Sequence, residues 1–140
     1  MRLPVAVLDS CVLYSAPLRD LFMWLGLAEL YVPKWTASIH DEWMRNVLKN
    51  RPDLSPEKLR RTRDLMDLHA IGSLVEDYEL LIPSLQLPDE NDRHVLAAAI
   101  VCAVTHLVTF NLSDFPTQTL ASHGVEAIHP DLFLINLIEH

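Results

Sequence analysis

The feature that most constrains the fold is an uninterrupted, alanine-rich apolar run at residues 95–104. A run of this kind belongs in the interior of a protein. Three carboxylates, Asp89, Glu90 and Asp92, come directly before it. The run therefore fixes an acidic cluster at the edge of the core, where crowded charges are costly unless a cation joins them. Metal binding is the first hypothesis for this cluster.

Helical and strand patterns alternate along the rest of the chain. Short apolar runs predict strands at 5–8, 30–33, 106–110 and 124–128. Helices are predicted over 18–30, from a Thr36 or Ser38 cap to about 48, from Ser55-Pro56 to about 68, over 92–104 and over 130–139, with 70–88 irregular. The alternation predicts an α/β fold, with a parallel sheet of about four to five strands and helices on both faces. The length suits one domain, 1–140.

Composition narrows the class of protein. No apolar run reaches the roughly 18 to 20 residues that a membrane span needs, and Arg2 and Asp9 bring charge too early for a secretory signal. Cys11 and Cys102 lie in apolar surroundings without paired spacing, which favours free thiols over a disulfide or a zinc site. We therefore expect a cytoplasmic protein that does not enter the membrane.

The charge is unevenly distributed. The net charge is −8, yet the segment 45–63 carries seven of the eleven basic residues against two acids and is therefore +5, which leaves −13 for the remainder. Within it, Arg45, Lys58, Arg60 and Arg61 are candidates for binding a phosphate backbone. The alternative is an ordinary solvated helix face, because a basic cluster alone is a weak motif.

Several polar residues are predicted to meet at one edge of the sheet. Asp9 directly follows the first strand, and Asn111 and Asp114 follow the strand at 106–110. The helix that begins at Asp92 runs antiparallel to the strands, so it starts at their carboxyl ends. Open parallel sheets bind ligands at that edge.

Glu42 is the fourth expected member of the group, on the border of the buried face of the helix after Thr36. Clustered carboxylates that offer only oxygen suit Mg²⁺ or Mn²⁺. Each acid also has a structural explanation. Asp9 and Asp89 can cap helices, Glu42 can pair with Arg45 one turn later, and Asp114 can begin a turn. The histidines, including His94 and His106, are interpreted as surface or core-edge residues rather than ligands.

Four segments together resemble the PIN domain, the nuclease fold of VapC-like toxins. They are residues 7–13 (VLDSCVL), 35–42 (WTASIHDE), 89–99 (DENDRHVLAAA) and 108–116 (VTFNLSDFP). By position, Asp9, Glu42 and Asp92 match the three core acids of that family. Asn111 stands where a fourth acid is often found, with Asp114 three residues later, and Asp89 resembles the branch with Asp-x-x-Asp at this helix.

The resemblance implies a Mg²⁺- or Mn²⁺-dependent endoribonuclease that hydrolyses single-stranded RNA, the toxin of a toxin–antitoxin module. It implies metal ligation by Asp9, Glu42, Asp92, Asp114 and Asp89. Substrate contacts are expected from the hydroxyls of Ser10 and Thr109, from Asn111 and from the basic segment. An antitoxin protein and a homodimer are the partners it implies.

Other classes remain to be weighed. A PIN-like module that binds RNA or protein with little or no catalysis is the main alternative, and Asn111 in place of an acid favours it. A haloacid-dehalogenase-type phosphotransferase needs an acid two residues after Asp9, where this chain has Cys11.

Overall fold

The structure is a computed structural model that describes residues 2–139. Its centre is an all-parallel sheet of four strands in the order β2-β1-β3-β4. The strands are β1 (Val5–Leu8), β2 (Val32–Lys34), β3 (His106–Val108) and β4 (Glu126–Ile128). The predicted α/β fold with a parallel sheet is confirmed. The expected domain, 1–140, also includes Met1 and His140, which lie outside the described residues.

Helices connect the strands. They are α1 (Ser10–Leu13), α2 (Ala16–Leu27), α3 (Ala37–Asn50), α4 (Pro56–His69), α5 (Arg93–Val101), α6 (Thr117–Ala121) and α7 (Pro130–Glu139). The predicted caps are confirmed, since the side chains of Thr36 and Ser55 accept hydrogen bonds from the first turns of α3 and α4. Helices α1 and α6 were not predicted because they are too short to show periodicity. Across residues 2–139 every helix is too short or too polar to cross a bilayer.

Two helices end earlier than their apolar patterns predicted. The backbone of Glu29 has φ +62° and that of Ala103 has φ +50°, both left-handed. The following amides reach back to carbonyls five residues earlier, from Leu30 to Leu25 and from Val104 to Ala99. These bonds form Schellman motifs, which stop the helix although the side chains remain apolar. The predicted ends at 30 and 104 were wrong for this reason.

Strand β1 has its predicted bounds, whereas β2, β3 and β4 are shorter than predicted, because pairing rather than composition sets their length. Strand β3 pairs with β1 only from Ala6–His106 to Leu8–Val108. The predicted extension to 110 was wrong, since the backbone N–H of Thr109 makes the last bond to β4 and the N–H of Asn111 then turns back to the hydroxyl of Thr109, which leaves Phe110 40% exposed.

The order of the strands reverses between β1 and β3, and this is where a parallel sheet has a crevice at the carboxyl ends of its strands. From β1 the chain first crosses to β2 on one side and later returns to β3 on the other. Connections between parallel strands are right-handed, so this reversal puts helices on opposite faces. On one face Phe22 of α2 stacks on Phe133 of α7. Helix α5 packs against β1 and β3 through alanines that are fully buried, and so its first turn is held beside the end of β1.

Candidate active site

Asp9 is the most buried of the candidate acids, only 6% exposed, at the carboxyl end of β1. Its Oδ1 accepts a hydrogen bond from the backbone N–H of Ser10 at 2.8 Å, and its Oδ2 accepts one from the hydroxyl of Thr109 at 2.9 Å. Burial raises the pKa of Asp9, these bonds oppose that rise, and the charge of Glu42 adds to it. The fold thus keeps a buried carboxylate in a fixed orientation.

Thr109 itself is fully buried, and its hydroxyl is occupied. It donates to Asp9 and accepts from the backbone N–H of Asn111 at 3.0 Å. Ser10 contacts Asp9 through its backbone rather than its side chain. In this arrangement Thr109 orients Asp9 and the loop that follows β3.

Glu42 lies half-buried on α3 and faces the start of α5. Its Oε2 lies 3.0 Å from Nε2 of His94. The expected alternative, pairing with Arg45, does not occur among the described residues, since Glu42 is bonded to the histidine instead. The Nδ1 atom of His94 is buried without a hydrogen-bond partner within residues 2–139. The sequence interpretation therefore missed His94 as part of this site, although it lies two residues after Asp92 on the same first turn.

Asp92 is the acid at which the neighbouring charges converge. Partial burial and, in decreasing order of size, the carboxylates of Asp9, Asp114, Asp89 and Glu42 together raise its pKa to about 6. These five acids come from β1, α3, the turn before α5 and the turn after β3. The structure thus brings the sequence-predicted acids to one edge of the sheet; we call Asp9, Glu42, Asp89, Asp92 and Asp114 the acidic rim.

The outer members of the rim have local structural contacts. The side chain of Asp89 is exposed and accepts a hydrogen bond from the backbone N–H of Asn91 at 2.9 Å, which caps the short turn Glu90–Asp92. Asp114 ends the turn Leu112–Asp114, which Asn111 begins. The predicted capping by Asp9 and Asp89 therefore coexists with their place in the rim.

The rim suits a hard divalent cation by its chemistry. It offers carboxylate oxygens and an excess of negative charge that already raises the pKa of Asp92. Among residues 2–139, no three His, Cys, Asp or Glu side chains surround a common point as ligands would. Binding an ion there would require side-chain rotation, which is open to Glu42, Asp89, Asp92 and Asp114 because none of them is fully buried.

The basic segment divides into two parts. Arg45 lines a polar groove that also contains Glu42 and His94. Lys58, Arg60 and Arg61 are exposed on α4, which packs against α3, and they do not line that groove.

Comparison with known proteins finds a partial sequence similarity to a protein named as a ribonuclease. A segment of 48 residues, 34% of the chain, is 44% identical to part of the protein named "Putative ribonuclease VapC50" of Mycobacterium tuberculosis. The match covers 28% of that relative's length. No protein-family model matches the chain. The similarity is therefore to a VapC-type ribonuclease over a third of the chain.

Proposed function

We propose that this chain is a PIN-type endoribonuclease that hydrolyses phosphodiester bonds of single-stranded RNA with Mg²⁺ or Mn²⁺. The observation that carries the proposal is the convergence of carboxylates from four separate segments on Asp92, at the switch point of a parallel sheet. The partial similarity to a VapC-type ribonuclease supports it.

Asp9, Glu42 and Asp92 would hold the metal, with Asp114 and Asp89 as further oxygen donors. A bound Mg²⁺ or Mn²⁺ lowers the pKa of a coordinated water and neutralises charge on the phosphate. The protein supplies the orientation of the ligands. Thr109 and the Ser10 amide fix both oxygens of Asp9. His94 holds Oε2 of Glu42, and Oε1 of Glu42 has no hydrogen bond within residues 2–139.

The acidic rim repels the RNA backbone, so binding needs positive charge nearby. Arg45 lies one turn from Glu42 on α3 and lines the same groove. The exposed residues Lys58, Arg60 and Arg61 on α4 would guide the strand electrostatically towards α3. We propose that the protein acts in the cytoplasm as the toxin of a toxin–antitoxin module, as a homodimer whose acidic rim is covered by an antitoxin.

The test is cleavage of single-stranded RNA with Mn²⁺ or Mg²⁺ by the purified protein and its Asp9→Asn variant. Loss of a metal ligand is expected to lower the rate at least 100-fold, a transition-state loss of about 2.7 kcal/mol. Glu76→Gln, a similar charge change at an exposed site, should retain full activity. Equal cleavage by the Asp9 variant, with circular dichroism showing both proteins folded, would contradict the mechanism.

Asn111 favours a second candidate, a PIN-like module that binds RNA or protein with little catalysis. It stands, exposed, where the resemblance leads one to expect a fourth acid. Calorimetry distinguishes the two functions. Uptake of Mn²⁺ that is abolished by Asp92→Asn supports the nuclease, and no uptake at millimolar Mn²⁺ supports the binding module.

A further inference from the structure

A polar groove lies between α3 and the start of α5. It has a volume of about 500 Å³ and is lined by Ser38, Asp41, Glu42, Arg45, Asn91 and His94. The four residues from α3 are spaced i, i+3, i+4 and i+7, so they lie on one face of the helix. Glu42 belongs both to this groove and to the acidic rim. The groove therefore opens directly from the proposed catalytic site.

Arg45 is the cation of this groove, and it makes no ion pair within residues 2–139, although the carboxylates of Asp41 and Glu42 line the same groove. Two carboxylates lie one turn earlier on the helix: Glu42 is bonded to His94, and Asp41 makes no ion pair with Arg45 within residues 2–139. Arg45 is exposed, and it has neither an ion pair nor a side-chain hydrogen bond within residues 2–139. A planar guanidinium with free donors is suited to bind a phosphate through two parallel hydrogen bonds.

Neutral donors accompany the guanidinium. Ser38 Oγ lies 3.1 Å from the hydroxyl of Tyr78, which donates to it, so the proton of Ser38 remains available. The side-chain amide of Asn91 is exposed and makes no hydrogen bond in the described part of the chain. Hydroxyl and amide donors beside an arginine are the groups that commonly contact phosphate and sugar oxygens.

We propose that this groove is a nucleotide subsite, in which Arg45 binds the phosphate next to the one that is cleaved. The inference rests on the proposed ribonuclease function. Residues one helical turn apart have Cβ atoms about 5–6 Å apart, and the long side chain of Arg45 adds reach. A strand with one phosphate at the rim, near Glu42, therefore places its next phosphate within reach of Arg45.

The test measures the affinity of a short, labelled single-stranded oligoribonucleotide for the Asp9→Asn protein with Mg²⁺, as salt is raised from about 50 to about 200 mM. Adding Arg45→Gln is expected to weaken binding about fivefold to tenfold and to reduce the slope of log affinity against log salt by about 0.7, the value for one phosphate contact. Arg45→Lys should keep the slope and lose part of the affinity, because lysine retains the charge but lacks the planar guanidinium that makes two parallel hydrogen bonds.

The matched control is Arg2→Gln, which removes the same charge from an exposed site before β1, at the opposite edge of the sheet. Equal effects of the Arg45 and Arg2 variants would overturn the inference, because they would reflect net charge alone. Absence of RNA binding by the Asp9→Asn protein would overturn it as well.

The outcome is separable from that of the proposed function. If the native protein cleaves RNA but Arg45→Gln leaves affinity and salt slope unchanged, the subsite is wrong and the nuclease proposal stands. If the native protein does not cleave RNA but Arg45→Gln produces the expected losses, the groove is supported as a phosphate site and the proposed hydrolysis fails.

Discussion

Helix α3 contributes one residue to each of two carboxylate–histidine pairs, His40 to the first and Glu42 to the second. The two pairs differ in how many of their polar atoms have hydrogen-bond partners. In the first, Nε2 of His40 lies 2.9 Å from Oδ1 of Asp67, and the indole N–H of Trp43 donates to Nδ1 of His40 at 2.9 Å. The indole N–H of Trp35 donates to the same Asp67 oxygen at 2.7 Å. In the second pair, Glu42 and His94, the histidine Nδ1 has no partner within residues 2–139.

The difference separates a structural network from a pair in the candidate site. The Asp67 network holds α4 against α3, and every nitrogen in it has a partner, so its hydrogen bonds stabilise the fold. The pair at Glu42 lies beside carboxylates whose repulsion helps to raise the pKa of Asp92. Charged groups that repel one another in the folded protein are typical of binding and catalytic sites. The same helix therefore stabilises the fold with one face and contributes to the candidate site with another.

The largest effect should come from breaking the satisfied network with Asp67→Ala. This change leaves the N–H groups of Trp35 and His40 without an acceptor, so we expect a loss of about 2–3 kcal/mol in the free energy of unfolding. Asp67→Asn should cost less, because its Oδ1 can still accept both bonds. Urea unfolding measures both, with the exposed Asp64→Ala as control, expected within about 0.5 kcal/mol of the native protein. Equal effects of the Asp67 and Asp64 variants would show that the network is not structural.

The next effect concerns the incomplete pair. His94→Ala removes the group that orients Glu42, and such supporting residues typically contribute 10–100-fold to metal affinity or activity, so we expect losses of about that size in Mn²⁺ affinity and in RNA cleavage. His94→Gln should restore part of both, since its amide can donate to Glu42. Calorimetry with Mn²⁺ provides a readout that does not depend on catalysis. His123→Ala, at an exposed histidine, is the control, and unchanged Mn²⁺ affinity in His94→Ala would contradict the role.

The smallest effect is a gain in stability. The pKa of Asp92 is about 6 in the folded protein, above its ordinary value of 3.8, so its ionised form destabilises the fold above pH 6. With chelator present at pH 8, Asp92→Asn should raise the free energy of unfolding by about 0.5–1 kcal/mol, a figure reduced for solvent screening, and Tm by about 1–4 °C.

The dependence of this gain in stability on pH provides its control. As the pH falls from about 6 towards 4, Asp92 becomes protonated in the folded protein and the advantage of the variant should shrink. The network at His40 has the opposite dependence, because burial lowers the pKa of His40 and the fold must keep it neutral as the pH falls. Thermal unfolding at pH 8 and at about pH 4 measures the difference in stability between Asp92→Asn and the native protein, with Glu76→Gln as control. If Asp92→Asn is less stable than the native protein at pH 8, repulsion among the rim carboxylates does not destabilise the fold.

Much of the site could be predicted because its residues have fixed positions relative to elements with clear patterns. Asp9 directly follows a buried strand, and Asp92 directly precedes an apolar helix, so their place at one edge of the sheet follows from the direction of the chain. The contact of His94 with Glu42 could not be predicted, because the two residues lie 52 positions apart in sequence. The true helix ends at Leu27 and Val101 were also missed, since no glycine marks the left-handed residues that stop them.

The sequence by itself determined the α/β fold, the alternation of elements and the acids available to the rim, because these depend on local periodicity and on strand direction. The tertiary structure alone decided which polar groups were satisfied. It bonded Glu42 to His94 rather than to Arg45, engaged Thr109 with Asp9 and completed the network at Asp67. The physical reason is that hydrogen bonds and charge repulsion act over distances of a few ångströms, and only folding brings residues far apart in sequence within that range.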